Sequence, residues 1–333
     1  MTGQPPQTLS TILKPTEEEV GLRLDEFVTR HLDGFTKGEI VRAIERRNIL
    51  LNERPGKKGI KLRVGDQVQI RDLSFNLVYP NPEVPVSCIW FDETLLALNK
   101  PAGIPTFPNR GYERKTLANG LVSAYPGQQG IGDSPLEAGI LHRLDNGTSG
   151  LVIAARNQQT FQSMRRLFVE RQVEKTYLAL VHGVVAQSGR LENHLAHDPA
   201  HPGRMVIVQP ETPHALYAVT RFRPLSCANG YTLLAVGIRT GVTHQIRCQL
   251  AAAGHPILGD ARYAPKAEEP SFPGHCLHSY ALAFQHPTTA QSVLLRAKIL
   301  PPFLEEIRRI GVPYEQALVC LEAQFAPPKG NCV

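Results

Sequence analysis

Leu141-His142-Arg143-Leu144-Asp145-Asn146-Gly147-Thr148-Ser149-Gly150-Leu151 lies between two apolar stretches and carries two glycines, so it reads as a loop at a strand end. Loops held on a rigid scaffold are where reactive groups concentrate. A single carboxylate, Asp145, sits here among an arginine, two hydroxyls and a permissive backbone. The plainer reading of the segment alone is an Asp-centred turn. The residues after it, Leu151-Val152-Ile153-Ala154-Ala155, read as a buried strand.

Working outward, Leu95-Leu96-Ala97-Leu98-Asn99 is a second apolar strand. It ends in Lys100-Pro101-Ala102-Gly103, a turn with Pro second and Gly fourth. Tyr177–Val181 and Tyr231–Val236 read as further strands, and Phe161, Met164, Leu167 and Phe168 recur at helical spacing. Arg239-Thr240-Gly241-Val242-Thr243-His244-Gln245-Ile246-Arg247 leaves a strand, turns at Gly241 and enters a helix over 243–253, with Thr243 as its cap and Gly254 just past its end. Arg247 near the start of that helix opposes its dipole by about 0.3–1 kcal/mol. A buried carboxylate such as Asp145 would offset this; an unpartnered surface arginine is the other reading. These elements describe an α+β body.

The chain has 333 residues, enough for about two domains. With 42% hydrophobic and 20% charged residues it is neither collagen, coiled coil nor a wholly disordered chain. No apolar run reaches the ~20 residues of a membrane helix, and the opening residues lack the pattern of a secretory signal. Six cysteines without a C-x-x-C pair fit reduced thiols. The expectation is a soluble, cytoplasmic protein with no membrane partner.

Lys and Arg total 36 against 30 Asp and Glu, a net charge of +6. Residues 21–72 hold 12 basic and 8 acidic side chains, so +4 falls on a small segment. That fits either a polyanion footprint or a solvated basic face. The segment reads as two short helices feeding a small sheet. Leu24, Phe27, Val28 and His31 mark the first helix. The second opens at Thr36 with capping-box spacing to Glu39; its apolar positions are Ile40, Val41 and Ile44, with Lys37, Arg42, Arg46 and Arg47 elsewhere around the axis. Strands follow at Ile49–Leu51 and after the turn at Val64-Gly65-Asp66. The expected boundaries are a flexible tail at 1–17, the small module at 18–74, a Pro-punctuated linker at 75–85, the large body at 86–325 and a tail at 326–333. There is no internal repeat, Walker-type loop or G-x-G-x-x-G.

Together, several segments in one order resemble the RluA-type pseudouridine synthases, which isomerise uridine within RNA. They are His142-Arg143-Leu144-Asp145 with Thr148-Ser149-Gly150-Leu151; Asn99-Lys100-Pro101-Ala102-Gly103; Glu174-Lys175-Thr176-Tyr177 through Gly183; Thr243-His244-Gln245-Ile246-Arg247 with Gly254-His255-Pro256-Ile257-Leu258-Gly259-Asp260; Leu277-His278-Ser279-Tyr280; and His286-Pro287. The resemblance covers about residues 86–300. The module before it, with Arg23-Leu24-Asp25 and Val64-Gly65-Asp66, resembles an S4 RNA-binding domain.

The resemblance implies an α+β catalytic domain with a central mixed, largely antiparallel sheet flanked by helices and loops, preceded by the small α+β S4-like domain. It puts the catalytic aspartate at Asp145, which can attack the anomeric carbon, attack the uracil ring or remove a sugar proton. It makes Arg247 the partner that keeps Asp145 charged. Tyr177 would lie against the uracil and take the ring proton at the end. Arg143 would fill the space left by a flipped base, with His142 and Arg204 as further RNA contacts. Lys37, Arg42, Arg46 and Arg47 would hold RNA from the small domain. No metal or cofactor is implied. The histidines His194, His197 and His201 lie in a Pro- and Gly-rich stretch, a poor scaffold for a metal.

Implied partners are structured RNA, ribosomal in preference to transfer RNA, with the chain a monomer. The family has an arginine where this chain has Val242 and a histidine where it has Gln249, which bears on substrate choice. Two rivals remain: a catalytically impaired RNA-binding or ribosome-assembly protein on the same fold, and a glycosidase. The latter lacks an evident second carboxylate.

Overall fold

In the computed structural model the described residues are 8–32, 35, 37–74, 78–108, 113–264 and 274–324. The expected cap at Thr36 and the tail at 326–333 lie outside them.

The small unit packs two helices on a four-stranded antiparallel sheet. Its elements are β1 (Thr8–Leu13), α1 (Leu24–His31), α2 (Lys37–Glu45), β2 (Ile49–Leu51), β3 (Arg54–Pro55) and β4 (Val68–Ser74), with strand order β1-β4-β2-β3. Leu24, Phe27 and Val28 of α1 meet Ile40 and Ile44 of α2 over Ile49, Val68 and Ile70, forming a core of their own. Ala43, not Val41, completes the buried stripe of α2. His31 faces out and meets Glu19 at 2.7 Å. The expected flexible tail is in part a strand: Thr8–Leu13 pairs along β4, and its Thr-Leu-Ser-Thr-Ile-Leu alternation suits an edge strand with one face on the core.

The large unit contains β5 (Cys88–Phe91), β6 (Leu95–Lys100), α3 (Leu117–Ala124), β7 (Ser149–Ala155), α4 (Gln158–Val169), β8 (Glu174–His182), β9 (Gly189–His197), β10 (Met205–Val208), β11 (Leu216–Ala228), β12 (Tyr231–Ile238), α5 (Gln245–Ala252), β13 (Leu277–Gln285), β14 (Ser292–Arg296), α6 (Pro301–Ile310) and α7 (Glu315–Gln324). Ten strands form one sheet in the order β10-β9-β11-β12-β8-β13-β7-β6-β5, with β14 also on β13. Every pairing is antiparallel except β7 with β13. The sheet is therefore mixed and largely antiparallel.

Its central strands are buried on both faces, which is why they read as continuous apolar runs. Alternate residues serve two cores. Leu96, Leu98, Val152 and Ala154 join α3 and α6 on one face. Leu95, Ala97, Leu151 and Ile153 join Phe161 and Met164 of α4 on the other.

Two further expectations change. Residues 78–85 of the expected linker are packed on the large unit. Val78 and Val84 are buried, the Asn81 side chain donates to the Arg114 carbonyl at 2.7 Å, and Gly120 of α3 leaves room for the Val84 carbonyl. Helix α5 starts at Gln245, not at a Thr243 cap. His244 precedes it in the left-handed region at φ 53°, and Gly254 follows its end at φ 85°.

Where β7 meets β13, Gly150 has φ 110°, and a Cβ there would lie 2.3 Å from the Ser279 carbonyl oxygen. Gly150→Ala is expected to destabilise the protein by about 2–4 kcal/mol through strain and overpacking. A denaturant melt with an unchanged midpoint would contradict this close approach.

Candidate active site

The loop before β7 is fastened on both sides. The Thr106 hydroxyl donates to the Leu144 carbonyl at 2.9 Å and accepts from the Leu144 N–H at 3.0 Å. On the other side Lys100, at the end of β6 and fully buried, donates from Nζ to the carbonyls of Ile104, Pro101 and Asn146 at 2.8, 2.9 and 3.3 Å. Burial pulls its pKa down to about 7, and the nearby charge of Asp145 works the other way. The Thr148 N–H donates to the Asp145 carbonyl at 3.0 Å, closing the turn. Asp145 is thus carried on a rigid turn with its side chain 24% exposed.

Arg247 is buried on α5. It donates from Nη1 to Asp145 Oδ2 at 2.7 Å, and from Nε and Nη2 to the two oxygens of Asp260 at 2.7 and 2.8 Å. Burial alone would lower the guanidinium pKa; Asp260 first and Asp145 second reverse that, holding it above its usual value. Burial would likewise raise the Asp260 carboxyl, but the hydrogen bonds and charge of Arg247 bring it below the ordinary carboxylate range. The offset to the unfavourable helix dipole is therefore shared by two carboxylates, of which the sequence pointed only to Asp145.

His244 completes the constellation. The Met205 N–H donates to the Tyr263 hydroxyl at 2.7 Å, and that hydroxyl lies 3.0 Å from His244 Nδ1. His244 Nε2 faces Asp145 Oδ2 at 3.7 Å. Burial, foremost, lowers the His244 pKa and favours the neutral ring.

Tyr177 on β8 opposes Ser279 of β13 and is buried. Desolvation, reinforced by the charge of Asp145, pushes its phenol well above 10. Burial thus favours the protonated form of the residue expected to take the ring proton.

Arg143 is exposed, with its guanidinium carbon 5.4 Å from the Phe107 ring centre. Arg204 lies 5.2 Å from the Tyr263 ring centre in the turn between β9 and β10. His142 has a structural task. Its Nε2 accepts from the Ile153 N–H at 3.1 Å and its ring packs on Phe168; burial, then the charge of Lys175, brings its pKa down to about 3. As an RNA contact it would be uncharged.

Both positions that depart from the family pattern make tertiary contacts. Val242 joins a small apolar cluster with Met205 and Tyr263. Gln249 is buried, accepts from the Thr220 hydroxyl at 2.7 Å and donates to Asn193 at 2.9 Å, tying α5 to β11 and β9. The stretch holding His194 and His197 is strand β9, not a loop. Three residues apart on a strand, the two side chains leave on opposite faces.

Between these elements lies a cavity of about 500 Å³. Among the described residues Asp145 is the single carboxylate lining it, facing Arg143, Arg165, Arg171, Lys175, Arg239 and Arg247. A two-carboxylate glycosidase site would need a second acid.

Comparison with known proteins agrees with this geometry. The RNA pseudouridylate synthase family profile matches residues 94–252. An RNA pseudouridine synthase of Aquifex aeolicus is 34% identical over 295 residues, covering 85% of this chain and 92% of that protein. This chain belongs to the RluA-type RNA pseudouridine synthases. It is an isomerase acting on uridine in RNA. The ribosomal large subunit pseudouridine synthase D of Neisseria meningitidis is 29% identical over 85% of this chain and 77% of its own length. The structure of human RNA pseudouridylate synthase domain containing 1 shares the fold, with a TM-score of 0.59, 23% identity, and coverage of 76% of this chain and 99% of that one.

For this pseudouridine synthase, Asp260→Asn leaves Arg247 with one buried counter-charge fewer. A loss of about 3–5 kcal/mol in stability is expected, together with lower activity; equal melts for the two forms would contradict the pairing. A second expectation concerns pH. His275 and His278 are buried, and burial brings both down to about 4, against about 6.5 when unfolded. Below pH 6.5 the unfolded chain takes up protons that the folded one refuses, so stability falls as pH drops towards 4. Each histidine contributes up to about 1.4 kcal/mol per pH unit. A urea midpoint constant from pH 7 to 4.5 would contradict this.

Proposed function

We propose that this enzyme converts uridines to pseudouridine in structured ribosomal RNA, with Asp145 as nucleophile. The observation that carries the reading is a lone carboxylate, fixed by Arg247, in an otherwise basic cavity. The bond between uracil N1 and ribose C1′ breaks with its electron pair leaving on N1, while the carboxylate bonds to C1′. The freed base turns, and its C5 bonds to C1′ as the carboxylate departs. The hydrogen on C5 is then lost as a proton, and N1 gains one. With Tyr177 held neutral and His244 favouring its neutral form, the released Asp145 carboxylate is the acceptor best suited to that proton. The Tyr177 phenol serves as a packing surface for the ring.

The target base must leave its stack to reach this cavity, at a cost of a few kcal/mol. Arg143, exposed at the rim, suits the vacated space because a guanidinium both stacks and donates. The ribosomal preference draws support from the name of the Neisseria relative and from the small unit, read as an S4-like RNA-binding domain. There Lys37, Arg42, Arg46 and Arg47 are all exposed at or just beyond α2. The reading includes a monomer working in the cytoplasm.

Asp145→Asn keeps the shape and removes the charge. It is expected to cut release of tritium from C5-labelled RNA by at least about 1,000-fold while binding persists; turnover near the native rate would remove Asp145 as nucleophile. Neutralising Lys37, Arg42, Arg46 and Arg47 together is expected to lower affinity for ribosomal RNA and flatten its salt dependence by about 0.7–0.9 log units per lost phosphate contact. Identical slopes would make this a solvated face.

A further inference from the structure

Lys175 is a buried cation that the chemistry above does not use. It lies on β8 two residues before Tyr177, and the two-residue period of a strand sends both side chains to the same face. Both line the cavity. Only 9% of Lys175 is exposed, yet among the described residues it has no carboxylate within ion-pair distance. Nζ lies 5.9 Å from the Phe168 ring centre, the neutral His142 packs on that same ring, and Gly241 leaves the ammonium free space where a Cβ would stand 3.2 Å away. Glu174, the adjacent residue, is on the opposite, exposed face, paired with Arg239.

A largely buried lysine whose ammonium opens on a cavity without a counter-ion is costly to the fold, and its place on the wall suits an anion that arrives from outside. Such an anion could be the uracil leaving group or a backbone phosphate. The position along the strand favours the phosphate. Tyr177 pairs with Ser279, which also pairs with Gly150 of β7, the strand that the Asp145 loop enters, whereas Lys175 pairs with Leu282, further from that loop. Lys175 therefore stands beyond Tyr177 from Asp145, about 7 Å further along the strand, away from where the glycosidic bond breaks. Arg165 and Arg171 line the same cavity, adding positive potential there.

We propose that Lys175 is a phosphate-binding residue of the active-site cavity, taking a backbone phosphate next to the flipped nucleotide. The proposal rests on RNA as the substrate, not on which RNA is modified.

The test compares native enzyme, Lys175→Met and Lys175→Arg on total RNA labelled with tritium at uridine C5 and drawn from cells lacking the enzyme. Tritium release by the native enzyme establishes the substrate class independently of the variants. Lys175→Met is expected to raise KM about tenfold with a smaller effect on kcat, and to reduce the slope of log KM against log salt by about 0.7–0.9. Its thermal midpoint should rise, because an unpaired buried charge has been replaced by an apolar side chain. Lys175→Arg should recover most of the affinity. An unchanged KM would overturn the proposal. So would a loss confined to kcat, which would place the cation on the leaving uracil, or a lowered thermal midpoint with native salt dependence, which would make Lys175 structural.

Discussion

One guanidinium holds two carboxylates, and the site depends on that arrangement. Asp260 takes Nε and Nη2 of Arg247 as a fork, which fixes the plane of the group and leaves Nη1 aimed at Asp145. Asp260 is itself held by the sheet. Leu258 donates its N–H to the Leu180 carbonyl at 2.9 Å, Cys276 donates to the Leu258 carbonyl at 2.8 Å, and Ile257 bridges Val181. Thus β8 and β13 set Asp260, Asp260 sets Arg247, and Arg247 sets Asp145. Buried ion clusters of this kind seldom add net stability. What this one adds is orientation, since Arg247 cannot swing away without stranding an anion that is itself wholly buried.

The same low-dielectric surroundings bear on the protonation of the groups near Asp145. Tyr177 is held as the phenol, and burial disfavours the charged forms of His244 and His275. A reaction that creates and then neutralises charge on the base is left with one mobile anionic group, Asp145. In the proposed chemistry a single carboxylate serves where hydrolysis at an anomeric carbon needs two. The leaving group here never departs, so no water has to be activated.

Much of the frame was legible because β6, β7, β8 and β12 are buried on both faces and announce themselves as apolar runs. Strands β9 and β11 did not. Residues such as His194, Arg221 and Arg223 interrupt their pattern, although β11 pairs with β12 across the two-residue turn at Asn229-Gly230. Strand β1 passed for a tail since its partner lies some sixty residues away. At the site, Asp145, Tyr177 and Arg247 were found through ordered segments of sequence, and the structure brings all three to one cavity. Asp260 stood in the same quoted segments without a role, because nothing local reveals that a guanidinium has donors to spare. Val242 lines the cavity while packing on Met205 and Tyr263, and Gln249 ties α5 to β11 and β9, contacts that only the tertiary structure reveals.

The two buried lysines make the distinction between scaffold and site concrete. Lys100 and Lys175 are both desolvated, and both have their pKa lowered by burial. Lys100 spends its three donors on three backbone carbonyls around the Asp145 loop, so the fold satisfies it completely. Lys175 has the Phe168 ring and Gly241 beside it and, among the described residues, no carboxylate within ion-pair distance. Sequence alone ranks them alike, since each is a lysine at the end of an apolar strand. The hydrogen-bond inventory separates them: a buried polar group that the protein satisfies is part of the frame, and one that it leaves open on a cavity wall is completed by the substrate.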